Sequence, residues 1–152
     1  MINYIVGIDP DSKAHGVAIY ENGKLTHLLT MDLMSILTTI KNLQETDCTI
    51  EFHIENVCAQ NATFKKSFVK NARAETTVSR SLGMCQQSQI ELERMLSTLG
   101  VKVVHHQISK QWKSASTGKA SFEGHTGWDG RSNEDTRSAA WFGWLGVKQW
   151  HI

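Results

Sequence analysis

Apolar positions first gather in Tyr4-Ile5-Val6-Gly7-Ile8, a run that stops abruptly at Asp9-Pro10. A second run, Val17-Ala18-Ile19-Tyr20, leads into Glu21-Asn22-Gly23, which has the chemistry of a hairpin turn. Leu25, His27 and Leu29 then alternate with more polar positions. Residues 4–30 therefore predict three short strands. Asp32 is placed to cap a helix whose apolar positions Leu33, Ile36, Leu37, Ile40 and Leu43 recur at helical spacing. The stretch from Thr49 to Val57 reads as another strand, ending in Glu55. From Gln60 to Leu99 the pattern is mostly helical, with Leu82, Cys85, Ile90, Leu92, Met95, Leu96 and Leu99 as apolar positions and Gly100 as a stop. Residues 101–106 predict a short strand. Residues 114–132 are rich in Gly, Ser and Thr and are expected to form a mobile loop. Asn133 is placed to cap a last helix through Ala139, Ala140, Trp141, Trp144, Leu145 and Val147.

This order gives an initial antiparallel meander followed by helix crossovers that demand parallel pairing. The expected fold class is α/β, a mixed sheet covered by helices. If the strand ending at Glu55 lies beside the strand ending at Asp9, their backbones run about 4.8 Å apart and both acids leave one sheet edge. An acid at the tip of an apolar strand is costly unless a cation compensates it. A third acidic site, Asn133-Glu134-Asp135, opens the last helix. Each acid has a plainer reading: Asp9 in an Asp-Pro turn, Glu55 as a strand-end charge, Asp135 as a first-turn acid favoured by the helix dipole. Together they suggest a metal-dependent hydrolase.

Length bounds the chain to a single domain, residues 1–152. Composition is that of a soluble protein, without a signal-peptide pattern or an apolar run of membrane-spanning length. Cys48, Cys58 and Cys85 are odd in number and lack metal-ligand spacing, so reduced thiols in a cytoplasmic setting are expected. The formal net charge of +1 decides nothing, but its distribution does. Lys65, Lys66, Lys70, Arg73 and Arg80 lie between Asn61 and Arg80 against the single acid Glu75. Such a basic block suits a polyanion or forms a solvated helix face. Phe64 and Phe68 interleave with those lysines and either contact DNA or face the core.

The chain resembles the RuvC family of Holliday-junction resolvases, within the ribonuclease H-like nucleases. The matching residues are Val6-Gly7-Ile8-Asp9-Pro10 with Ser12 and Gly16, and Ile54-Glu55-Asn56-Val57 followed by Asn61-Ala62. Leu82-Gly83, residues 101–105 leading to Ser109-Lys110-Gln111-Trp112-Lys113, and Asp135-Thr136-Arg137-Ser138-Ala139-Ala140 complete the order. The matches span nearly the whole chain, whose length suits a compact, phage-encoded member.

The resemblance implies a ribonuclease H-like five-stranded mixed sheet with helices on both faces. It also implies a Mg²⁺-dependent endonuclease that resolves four-way junctions by paired phosphodiester hydrolysis, acting as a homodimer on branched DNA in the cytoplasm of a bacterium or an infected host. Two Mg²⁺ ions, with Mn²⁺ as a substitute, would be held by Asp9, Glu55 and Asp135, with Glu134 secondary. Lys110 and Lys113 lie where the family pattern carries a lysine near the scissile phosphate. Lys113 is the better match and would be the catalytic cation there, the plainer reading being a solvated loop lysine. The expected DNA-binding residues are Lys65, Lys66, Phe68, Lys70, Arg73, Lys110 and Lys113. Two positions depart from the family pattern. Asp11 stands where a glycine is usual after Asp-Pro, and Ser138 stands where a second acidic or histidine position is usual on the last helix. A less selective branched-DNA nuclease and a non-catalytic DNA-binding relative remain open alternatives.

His105 and His106 are more often structural than catalytic in such a place. Trp141 and Trp144, at helical spacing, predict packing, whereas Trp128 in the Gly-rich segment is the tryptophan most open to stacking on a base.

Overall fold

The computed structural model describes residues 1–60 and 72–150, with the side chains of residues 72–75 left undescribed. Strands β1 (Ile2–Asp9), β2 (His15–Glu21) and β3 (Lys24–Met31) form the expected meander. Asn22 and Gly23 make the two-residue turn between β2 and β3, both at positive φ (49° and 86°) as such a hairpin requires. Helix α1 (Leu33–Gln44) begins where the Asp32 carboxylate accepts a 2.8 Å bond from the Ser35 N–H. Strand β4 (Cys48–Glu55) follows, then a short 3₁₀ turn (Val57–Ala59), helix α2 (Ala72–Thr98) and strand β5 (Lys102–His106). Helices α3 (Thr117–Thr126) and α4 (Glu134–Trp150) complete the described chain.

The five strands lie in the order β3-β2-β1-β4-β5. β1 pairs antiparallel with β2 and parallel with β4, and β4 pairs parallel with β5. The sheet is thus mixed, as expected. Its two faces take alternate residues of the same strands. Val6, Ile8, Phe52 and Ile54 pack against Ile36 and Ile40 of α1 and Leu92 and Leu96 of α2. Ile5, Ala18 and Tyr20 pack on the opposite face with Ala139, Ala140 and Val147 of α4 and Phe122 of α3.

On that second face α4 lies nearly against the sheet backbone, which explains two glycines. A Cβ on Gly7 would collide with the Ala139 carbonyl oxygen, and one on Gly16 with the Asp135 carbonyl oxygen. Only glycine allows the first turns of α4 to come so near β1 and β2. The Tyr20 hydroxyl fixes the same contact by donating 2.7 Å to the Ala140 carbonyl.

One expectation fails. Residues 114–132 are not all loop: α3 occupies ten of them. Its amphipathic pattern is thin because a single fully buried side chain, Phe122, anchors it, tilted against Trp112 at 5.7 Å between ring centroids. The Ser114 hydroxyl accepts a 2.7 Å bond from the Gly118 N–H at its start. Trp112, Trp141 and Trp144 gather beside it, consistent with packing. Trp128 also packs against this cluster, and its indole N–H donates 3.0 Å to the Arg131 carbonyl within its own loop.

Candidate active site at the sheet edge

The last registered pair between β1 and β4 is Ile8 with Ile54, so the next residues, Asp9 and Glu55, end neighbouring parallel strands side by side. Residue alternation turns both toward the α4 face. They are buried, at 5% and 4% exposure, in a place where a strand-end charge would ordinarily be solvated. Asp135 comes to them from the first turn of α4. Asn133 starts that helix through a reciprocal cap: its carboxamide oxygen accepts from the Thr136 N–H at 2.9 Å, and its own N–H donates to the Thr136 hydroxyl at 3.0 Å. Gly16, opposite Asp9 in the β1–β2 register, gives the Asp135 backbone room to approach.

Lys113 supplies the cation. Its Nζ lies 3.4 Å from Asp9 Oδ2. That oxygen is buried and has no hydrogen-bond partner of good geometry, so the contact is an ion pair without a directed bond. The Ser138 hydroxyl is likewise buried and unpartnered; it lies close enough to favour the Asp9 charge without forming a well-shaped hydrogen bond. Glu55 accepts a 3.3 Å bond from the backbone N–H of Ser109.

Electrostatics mark this as a site crowded with like charge. Burial and then the Asp9 charge push the Glu55 carboxyl up to about 7, against the pull of Lys113. Burial raises Asp9 above the usual carboxylate range although Lys113 opposes it. Asp135 is raised by burial and by Asp11 across the loop after β1. Burial disfavours the Lys113 ammonium, but Asp9 and Glu55 together outweigh it and hold its pKa above the ordinary value. Four acidic groups bear on one lysine, so the cluster lacks positive charge.

The structure brings Asp9, Glu55, Asp135 and Lys113 into one electrostatic unit, with Glu134 exposed at its rim and acting on Lys113 and Asp135. Asp11 is turned to its own loop, where Oδ1 accepts 2.6 Å from the Ser12 N–H and its backbone N–H donates to His15 Nδ1 at 3.2 Å. Lys110 is exposed beside a cleft of about 410 Å³ that opens next to the site, lined also by Ser109, Gln111, Ser114 and Thr117. Lys65, Lys66, Phe68 and Lys70, with Phe64, lie outside the described residues, and Arg73 lies in α2 with its side chain undescribed.

Among the described residues no three His, Cys, Asp or Glu side chains close on a single point as a finished metal cage. The donor chemistry still fits a hard divalent cation. Mg²⁺ uses one or two carboxylates completed by water and phosphate, and here an orphaned buried Asp9 oxygen stands among mutually repelling acids.

Several contributors escape a sequence reading. His53 is fully buried beneath Gly146 of α4, with Nδ1 2.7 Å from His106 Nε2 and Nε2 2.7 Å from Glu51 Oε1. His106 thereby has a structural partner, as does His105, which meets Glu93. Gln89 is fully buried in α2 and ties down the chain after Glu55: its Oε1 accepts from the Cys58 N–H at 3.1 Å, and its Nε2 donates to Asn56 Oδ1 at 3.0 Å. Its Cys58–Gln89 spacing of distant residues leaves no trace in the sequence. Arg137, next to Ser138, is buried as well.

Neither a protein-family model nor a curated protein sequence matches the chain. Solved structures do. A Thermus thermophilus RuvC in complex with Holliday junction substrate aligns over 99% of this chain and 96% of that one, with a TM-score of 0.56 and 14% identity. Another T. thermophilus RuvC structure aligns over the same shares with a TM-score of 0.51 and 12% identity. The chain has the RuvC-like, ribonuclease H-like fold throughout the described residues, and no helix among them is long and apolar enough to cross a membrane.

Proposed function

We propose that this chain is a divalent-metal-dependent, structure-selective DNA endonuclease that resolves four-way junctions by paired phosphodiester hydrolysis. The observation that carries the reading is the meeting of Asp9, Glu55, Asp135 and Lys113 at one edge of a RuvC-like sheet, with too little positive charge for its acids.

Asp9, Glu55 and Asp135 would hold Mg²⁺, with Glu134 at the rim. When bound, Mg²⁺ supplies a Lewis acid that activates water and offsets the charge of the phosphate. The chain's own groups do the rest. Asp9 and Glu55, fixed by adjacent strand ends, bring preset acceptors to the scissile position without reorganisation. Lys113, whose pKa its acidic neighbours raise in the metal-free site, would serve as a cationic phosphate contact beside Asp9. Lys110 and the hydroxyls of the adjoining cleft are placed to take the strand beyond the cut. Branched DNA is the partner that suits these features, and two symmetric incisions call for a homodimer. Ser138, where the family pattern carries an acid, is the one observation favouring a non-catalytic DNA-binding relative.

Labelled immobile four-way junction, flap, duplex and RNA–DNA hybrid are incubated with the protein and Mg²⁺ or EDTA. Symmetric paired nicks in the junction alone, and only with Mg²⁺, are expected. Equal cutting of every branched substrate would replace the reading with a general debranching nuclease. Junction binding without cutting would favour the non-catalytic relative.

A further inference from the structure

Arg137 is 5% exposed, yet among the described residues its guanidinium meets only neutral oxygens. Nε donates to the Trp112 carbonyl at 2.9 Å, Nη2 to the Lys113 carbonyl at 2.7 Å, and Nη1 to the Ser132 hydroxyl at 3.1 Å. A buried cation without a carboxylate is an expensive arrangement. What it holds is unusual. Trp112 has φ 65°, a left-handed conformation that a bulky residue seldom adopts. The turn is closed by a 3.2 Å bond from the Lys113 N–H to the Lys110 carbonyl, and α3 packs so near that a Cβ on Gly118 would lie 2.8 Å from the Trp112 carbonyl carbon. From this turn the Lys113 side chain reaches Asp9. Arg137 stands two residues after Asp135 on α4, so one helical turn carries an acid of the site and the clamp on its lysine.

Resting on the nuclease reading above, we propose that Arg137 is a positioning residue: its three-point hold on Trp112, Lys113 and Ser132 fixes the strained turn that aims Lys113 at Asp9 and so at the scissile position beside it. Lysine cannot reproduce the hold, because the planar fork of arginine sends parallel donors to two successive carbonyls.

The test uses the full chain carrying Arg137→Lys, with Ser132→Ala as a milder variant that removes one of the three contacts. Acetylation of Lys113 by an amine-reactive ester is followed by mass spectrometry without metal or DNA, with the exposed Lys102 as internal reference. Single-turnover cleavage of saturating junction DNA and junction affinity in Ca²⁺ are measured in parallel. Arg137→Lys is expected to speed Lys113 acetylation several-fold and to lower cleavage about tenfold or more, the scale of a misplaced catalytic group. Junction affinity is expected to hold within about twofold, because contacts distant from the turn are untouched. Ser132→Ala should move the first two readouts the same way by less. In a Lys113→Ala background Arg137→Lys should add about twofold at most, since it acts through Lys113. Unchanged Lys113 acetylation in both variants, or a full tenfold loss in the Lys113→Ala background, would overturn the proposal. A wild-type protein that cuts no DNA would sink the nuclease reading instead, and the acetylation rates would still decide the clamp.

Discussion

The face of the sheet that meets α1 and α2 and the face that meets α4 are made from alternate residues of the same strands, yet they are built on different principles. Toward α1 and α2 the strands offer Val6, Ile8, Phe52 and Ile54, and the contact is aliphatic and aromatic packing throughout. Toward α4 the same two strands offer Gly7, Asp9, His53 and Glu55. Here backbone approaches backbone, and toward the strand ends the apolar packing of Ile5, Ala18 and Tyr20 gives way to the buried polar and charged Asp9, His53 and Glu55. The first face supplies stability by removing apolar surface from water. The second spends part of that stability to hold acids in a place that disfavours their charge.

Substitutions three residues apart on β4 should therefore separate the two roles. Glu55→Gln on the α4 face is expected to lower junction cleavage by about three orders of magnitude, the scale of losing several kcal/mol of metal-assisted stabilisation. The same variant should melt no lower than wild type near pH 8. Cleavage within tenfold of wild type would remove Glu55 from the site. Phe52→Ala on the other face should lose about 3–5 kcal/mol of stability in a urea titration, with the cleavage rate per folded molecule unchanged. A fall in that rate at full folding would show that the faces are not separable.

The pH dependence sharpens the contrast. Unfolded, Glu55 gives up its proton near the ordinary value of 4.5; folded, it keeps it to about 7. Between those values the folded state binds more protons, so its stability falls as pH rises, on the order of a few kcal/mol by linkage. Asp9 and Asp135 are shifted in the same direction. Thermal melts from pH 4.5 to 8 without metal should show this decline, and Glu55→Gln should flatten it. Added Mg²⁺ should restore stability at pH 8 to wild type and less to Asp9→Asn; a flat profile in wild type would contradict the charge crowding. The smallest effect is expected from Gly16→Ala, about 1–3 kcal/mol as for an overpacked contact. It should also slow cleavage, because the added methyl presses on the Asp135 backbone. A neutral result in both assays would mean that α4 can shift without disturbing Asp135.

The apolar face and the strand-end acids were legible in the sequence because each rests on local pattern. Alternation marked the strands, Asp32 and Asn133 marked helix starts, and apolar runs breaking at Asp9 and Glu55 marked the edge. The α3 helix was not legible, since one buried phenylalanine among Gly, Ser and Thr carries no period. Arg137 was hidden for a different reason. Between Asp135 and Ser138 it reads as an ordinary helix-surface cation, and only the fold shows the two carbonyls of residues 112 and 113 waiting for it. Buried His53 and Gln89 likewise depend on partners 53 and 33 residues away, respectively.

Asp9 bears the central claim, and the most direct test compares wild type with Asp9→Asn on a labelled four-way junction. Incision is measured with Mg²⁺ and binding with Ca²⁺. Wild type should make symmetric paired nicks, and Asp9→Asn should bind the junction comparably while leaving it uncut. Undiminished cutting by Asp9→Asn would contradict the account, because the chemistry would then lie elsewhere in the chain.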